Sequence, residues 1–378
     1  MRLLILFLCT LLLTGCAEKE ELPAPDATVP TNTVAVEIPP VTEPEDIIQD
    51  TLDRMSIEQR VGQLFLARCN EETAIEDIQN YHLGGFVLFA SDFEDETPDS
   101  IRQKLSGYQF TSQIPMLFAV DEEGGTVTRV SRYPSFRASS FASPRDLYTH
   151  GGMEWVISME EEKAQLLTRL GINVNLAPVC DITTDPAAFM YDRSFGQEPE
   201  ITAQFISQAV QTMHKYGLGS ALKHFPGYGD NTDTHTGIAV DSRSLESLED
   251  RDLIPFRSGI EAGCGAILVS HTIVECLDAD HPASLSPAVH QYLRTEMGFE
   301  GVILTDDLVM QAITSLYGAG EAAVLAVLAG NDLLCSTDYA VQYEAVLAAV
   351  LSGRLDFDTL NNAVRNVLQW KQELGLLD

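Results

Sequence analysis

Eight short apolar runs, each followed by a stretch long enough for a helix, constrain this chain more than any other feature. They are GQLFLA (62–67), GGFVLF (84–89), PMLFAV (115–120) and INVNLAPV (172–179), then SALKHF (220–225), GAILVSH (265–271), GVILTD (301–306) and NDLLC (331–335). Runs this short, apolar at nearly every position, read as strands buried on both faces, the habit of parallel sheets covered by helices. Segments between them, such as EITAQFISQAVQTMHKYGL and SPAVHQYLRTEMGF, carry the apolar spacing of amphipathic helices. Repeated eight times, the unit predicts an α/β chain folded as a single (β/α)8 TIM-type barrel over residues 46–378, rather than an open doubly wound sheet. Ser56 and Gln59 form a capping-box pair at the entrance to the domain. No glycine fingerprint for a dinucleotide or a nucleotide phosphate follows any of the runs.

A barrel brings the C-terminal ends of its strands to one mouth, where catalytic groups collect. Asp121 and Glu122 follow the third run, Asp181 the fourth, and Lys223 and His224 end the fifth. His271 ends the sixth, and Asp306 and Asp307 the seventh. Any one of these alone reads as a helix cap or a satisfied core polar group. Their shared position at one end of the strands points instead to a common site. Of Asp306 and Asp307, one is expected to cap the next helix and the other to face the mouth as nucleophile or base.

The loop ALKHFPGYGDNTDTHTG (221–237) adds Asp233 two residues before His235. A carboxylate so placed fixes the tautomer of an imidazole and readies it to give and take a proton. An ordinary exposed histidine beside an Asx-turn is the alternative for this loop taken alone. A nucleophilic carboxylate plus a proton shuttle is the equipment of a retaining glycosidase, with an Asp–His dyad replacing the usual second carboxylate. Hydrolase signatures of other kinds, GxSxG and HExxH, are missing from the sequence.

Composition excludes some partners. A formal net charge of −33 argues against nucleic acid. The opening MRLLILFLCTLLLTGC has a basic residue, an apolar run too short to span a membrane, and small residues before Cys16. It predicts a lipoprotein signal over 1–15 that leaves Cys16 lipidated and anchors an exported protein to the membrane. Residues 16–45, rich in Pro, Glu and Thr, read as a flexible tether. The remaining cysteines, Cys69, Cys180, Cys264, Cys276 and Cys335, lack CxxC spacing and read mostly as buried small hydrophobes.

KHFPGYG and DTH, together with FAVDEEGGTVTRV, DRSFG, HPASLSP and GFEGVILTDDLVM, resemble the family-3 glycoside hydrolases, specifically their bacterial β-N-acetylhexosaminidase (NagZ-type) branch. The resemblance runs from MSIEQRVGQLF to the last barrel repeat. It implies that Asp306 is the nucleophile, His235 the acid/base and Asp233 its orienting partner. It implies that Asp121, Arg129, Arg193, Lys223 and His224 bind the sugar whose bond is broken. Neither a metal nor an organic cofactor is implied; the expected partner is a carbohydrate, an N-acetylglucosaminide such as a peptidoglycan fragment. Tyr228 stands where the branch usually has a second histidine, and Thr126 where arginine is common. Hydrolysis of β-glucosides or β-xylosides, transfer of the sugar to phosphate, and non-catalytic glycan binding are the competing expectations.

Overall fold

The apolar runs do form strands, and their side chains alternate between two cores. The structure, a computed structural model, describes residues 46–229, 233–234 and 237–377. The strands, in chain order, are β1 (Phe65–Arg68), β2 (Gly85–Leu88), β3 (Leu117–Val120), β4 (Val174–Asn175), β5 (Gly219–Phe225), β6 (Val240–Asp241), β7 (Ala266–Val269), β8 (Ile273–Val274), β9 (Val302–Thr305) and β10 (Leu334–Ser336). Eight of them form one parallel sheet in the order β10-β1-β2-β3-β4-β5-β7-β9. A parallel bridge between Leu304 and Leu333 joins its two ends and closes the barrel. The other two, β6 and β8, pair in parallel apart from it.

Alternation with period two sorts each strand's residues. Phe65, Phe86 and Phe118 pack outward into the layer under the helices. Their neighbours Leu66, Val87, Leu117 and Ala119 point inward and join Leu176, Leu268 and Leu304 in the barrel interior. Burial on both faces is what the unbroken apolar runs demanded. One end of the interior is plugged by the C-terminal helix Phe357–Glu373, whose Trp370 and Val367 belong to the same cluster. Gly219 and Gly265 make room for that indole: a Cβ on Gly265 would lie 2.0 Å from the Trp370 ring nitrogen. That end is the floor, since it holds the strands' N-termini.

Ser–Pro or Thr–Pro pairs start three of the outer helices. Thr97, Ser143 and Ser286 each accept a backbone N–H three residues ahead, while the following proline takes the first helical position, where no donor is needed. The Ser56–Gln59 capping box is present as expected, with both reciprocal bonds formed. It extends a helix through Gln63, so the first strand starts at Phe65 and not at Gly62. The fourth strand, expected over 172–179, is regular only at Val174 and Asn175. Pro178 offers no N–H to the ladder, and pairing resumes only as an isolated bridge from Val179 to Lys223. Cys69, Cys180, Cys264 and Cys335 are buried and Cys276 is exposed, all as free thiols.

Candidate active site

At the mouth, opposite the Trp370 plug, a cavity of about 560 Å³ opens over the interior side chains Val87, Leu176, Leu268 and Cys335. Its walls bring together residues from four strand ends or the loops beyond them: Asp121, Glu123 and Arg129 after β3; Arg193 after β4; Lys223, His224 and Asp233 at and after β5; Asp306 after β9. Of the residues expected to form the site, Asp121, Arg129, Arg193, Lys223, His224, Asp233 and Asp306 therefore line one cavity, whereas Glu122, Asp181 and His271 do not. His235 and Cys16 lie outside the described residues.

The turn after β3 sorts three adjacent acids by role. Glu122 is fully buried and points back into the loop, accepting the backbone N–H groups of Arg129 (2.8 Å) and Val130 (2.7 Å) and the Ser131 hydroxyl. Gly124 makes that reversal possible with a φ of +99°, and a Cβ there would sit 2.4 Å from the Ala142 carbonyl oxygen. Asp121 and Glu123 are thereby left facing the cavity, either side of Lys223. The Lys223 Nζ donates to Asp121 Oδ1 at 2.6 Å and lies 2.6 Å from Glu123 Oε1. Arg193 grips the same Glu123 with two parallel bonds, Nε to Oε2 at 3.0 Å and Nη2 to Oε1 at 2.8 Å. Arg129 stands 3.6 Å from the other Asp121 oxygen and above the Phe89 ring.

Burial opposes the charges of Glu123 and Lys223, and their neighbours overrule it. Desolvation alone would raise the Glu123 carboxyl, but the Lys223 ammonium and the Arg193 guanidinium hold it well below the usual carboxylate range. Desolvation would likewise lower Lys223, yet Asp121 and Glu123 push it above its ordinary value. Buried but fully paired, Glu123 and Lys223 keep their charges within this cluster. It offers fixed donors and acceptors to a polyhydroxylated ligand.

His224 is the hinge between this cluster and the loop. Arg193 can only donate, so the imidazole Nε2 at 3.1 Å accepts, and the ring proton sits on Nδ1. Nδ1–H donates to Asp181 Oδ2 at 2.7 Å. Asp181 was placed at the mouth by its position after a strand, and here it anchors the loop rather than lining the cavity.

At the end of β9 the two aspartates divide, but neither caps the next helix, Gln311–Thr314, whose N-cap position is Met310 with no side-chain cap bond. Asp307 is the structural member. It accepts from the Val309 and Thr337 backbone N–H groups at 3.1 and 3.2 Å and from the Thr337 hydroxyl at 2.6 Å. Asp306 lines the cavity, with Oδ1 accepting the Asp307 N–H at 2.9 Å. His271, fully buried, backs this turn: its Nε2–H donates to the Asp307 carbonyl at 3.0 Å, and Nδ1 takes the Ser284 hydroxyl at 2.7 Å.

Sequence reasoning missed Glu123, Arg68 and the aromatic walls Phe89 and Phe189. Glu123 had a signal, being the third of three acids before a Gly-Gly turn. The aromatic walls had none, since Phe89 at a strand end looks like core and Phe189 lies in an irregular segment without a motif.

Comparisons with known proteins agree with this architecture. The family profile described as "Glycosyl hydrolase family 3 N terminal domain" matches residues 56–370. A β-hexosaminidase of Xanthomonas oryzae pv. oryzae (strain KACC10331 / KXO85) is 33% identical over 307 residues, 78% of this chain and 88% of that protein. One from Xylella fastidiosa (strain M23) is 32% identical over 303 residues, with the same 78% and 88% coverage. Among solved structures, a glycoside hydrolase family 3 β-N-acetylglucosaminidase from Paenibacillus sp. str. FPU-7 superposes with a TM-score of 0.80 at 32% identity, covering 85% of this chain. This chain spans 63% of that enzyme's length. M tuberculosis LpqI gives a TM-score of 0.78 at 28% identity and covers 86% of this chain and 96% of its own. With the profile spanning most of its length, the chain belongs to glycosyl hydrolase family 3.

Proposed function

We propose that this glycoside hydrolase is an exo-acting β-N-acetylglucosaminidase that retains anomeric configuration through a covalent glycosyl-enzyme. The observation that carries the reading is the convergence of Asp306 and Asp233, from separate elements, on one cavity ringed by paired charges. The family membership and the names of the relatives support the N-acetylated sugar. A blind cavity of about 560 Å³ suits the terminal unit of a glycan better than the middle of a chain.

In this reading Asp306 attacks the anomeric carbon and the C–O bond to the leaving group breaks. His235, oriented by Asp233, donates its proton to the departing oxygen. The same imidazole then takes a proton from water as the hydroxide frees the sugar and releases the Asp306 carboxylate. Asp121, Arg129, Arg193, Lys223 and His224 hold the hydroxyls of the reacting ring. A neutral imidazole after the first transfer also admits an anionic acceptor such as phosphate.

The finer proposal is that the natural substrates are peptidoglycan fragments, met by an exported protein anchored through a lipid on Cys16. The N-terminal sequence supports it. Among the described residues no helix is long and apolar enough to cross a membrane.

The test is release of nitrophenol from the N-acetyl-β-glucosaminide and the β-glucoside, with and without phosphate, followed by mass spectrometry of enzyme quenched during turnover of a 2-acetamido-5-fluoro sugar. Preference for the N-acetyl sugar and a glycosyl adduct on Asp306 are expected. Faster glucoside turnover would overturn the substrate, and an adduct elsewhere would overturn the nucleophile. For the anchor, fatty-acid labelling that survives Cys16→Ser would sink the lipoprotein proposal.

A further inference from the structure

Tyr228 joins the two halves of the 221–237 loop. Its backbone N–H donates to Asp181 Oδ1 at 2.7 Å, while Oδ2 of the same carboxylate takes both the backbone N–H (3.1 Å) and the Nδ1–H (2.7 Å) of His224. One buried acid thus fixes both residues. The Tyr228 ring stands edge-on to His224, with centroids 5.2 Å apart, and edge-on to Phe189 at 5.6 Å. It is almost fully buried, yet it lines the cavity.

From there its hydroxyl reaches forward. It meets the Thr234 Oγ1 at 2.5 Å. Thr234 is fully buried, and its carbonyl accepts the N–H of Ala312 at 3.2 Å. Ala312 belongs to the short helix Gln311–Thr314, which follows the Asp306–Asp307 turn. A single residue is therefore held from both sides, by its side chain to Tyr228 and by its backbone to the helix that follows Asp306. Thr234 also lies between Asp233 and His235 in sequence.

We propose that Tyr228 is a positioning residue for proton transfer: through its hydroxyl bond to Thr234 it holds the neighbouring Asp233 at the cavity that Asp306 also lines. The proposal rests on the glycosidase reading above. Tyr228 is not itself the proton donor. Burial first, and the charge of Asp306 after it, push its phenol well above the usual tyrosine range, so it stays a neutral hydrogen-bond partner.

Positioning and mere packing separate by leaving group. An aryl glycoside such as the 2,4-dinitrophenyl N-acetyl-β-glucosaminide leaves without a proton, whereas the 4-methoxyphenyl glycoside needs one. Full-length Tyr228→Phe and Thr234→Val, and the double variant, are assayed on both, with thermal midpoints alongside. The expected result for Tyr228→Phe is a ~10- to 100-fold fall in kcat/KM on the methoxyphenyl substrate, within the span of acid catalysis. The dinitrophenyl substrate should change by less than ~3-fold. Thr234→Val should show the same selective loss, and the double variant no further one, because a single hydrogen bond is removed in all three. Equal losses on both substrates would assign Tyr228 to packing and overturn the proposal, as would no loss on either. A wild-type protein inactive on both glycosides would remove the glycosidase reading itself, a failure visible before any variant is made.

Discussion

The two ends of the barrel bury charged groups in opposite ways. In the ion cluster at the mouth, burial loses: Glu123 is held ionised by Lys223 and Arg193, and Lys223 by Asp121 and Glu123. At the floor, burial wins. Lys371 is completely buried, its Nζ donating to the neutral Gln63 Oε1 at 2.6 Å, and desolvation lowers its pKa to about 7. Asp332, just before β10, is raised by burial to about 6 even though Arg294 sits 2.6 Å away. The difference is the number of opposite charges supplied to each group. A site that must hold a polar ligand keeps its charges by pairing them several ways, whereas a plug has no such need and lets protons follow the dielectric.

Removing Asp306 should break the mouth's function while sparing its fold. Asp306→Ala is expected to lower kcat by ~10³-fold or more, with a thermal midpoint within a degree or two of wild type. A large drop in that midpoint would mean that Asp306 supports the turn, as Asp307 does. Next in size is the loss of one partner from the ion cluster. Glu123→Ala leaves Lys223 and Arg193 buried with fewer counter-charges, and denaturant unfolding should show a loss of about 3–5 kcal/mol together with weaker substrate binding. A loss below about 1 kcal/mol would show that water enters the cluster and that the mouth is less sealed than its geometry implies.

Trp370→Ala tests the floor by emptying the plug, at a cost of about 3–5 kcal/mol with little direct effect on kcat. Lys371→Met sharpens the comparison through pH. Unfolded, this lysine keeps its proton up to about 10.5, and folded it releases it near 7. Between those values the unfolded chain binds the extra proton, so the wild type gains stability as pH rises, by up to about 1.4 kcal/mol per pH unit. Below pH 7 the penalty is present in full. The stability advantage of Lys371→Met should therefore be greatest at pH 6 and shrink toward pH 10; an advantage independent of pH would show that the ammonium is solvated in the folded state. Smallest is Ser56→Ala, which removes the cap of the helix leading to Gln63 and should cost about 1 kcal/mol.

Particular residues show where the sequence was legible. Strand positions came through because side chains on a doubly buried strand have no polar alternative, as at β2, β3, β7 and β9. Strand ends came through less well, since a cap such as Ser56 or a missing donor such as Pro178 shifts a boundary by several residues. Among the site residues, Asp121, Arg129, Arg193, Lys223, His224, Asp233 and Asp306 all line the cavity. Glu123 was missed because two neighbouring glutamates look alike in sequence, and only the Gly124 turn sends one inward and the other to the mouth.

By itself the sequence determined what depends on local chemistry and periodicity. It set the eight buried runs, the order of strands and helices, the capped helix starts, and which side chains able to do chemistry fall at strand ends. Tertiary structure alone decided which of two adjacent carboxylates is tied into its own or a neighbouring loop and which is left to the cavity, at Asp306–Asp307 and again at Glu122–Glu123. It also decided which buried charges stay charged. The physical reason is that ionisation and hydrogen bonding at a site depend on groups from other parts of the chain, such as Lys223 against Asp121 or Lys371 against Gln63. Those distances are fixed only when the barrel closes.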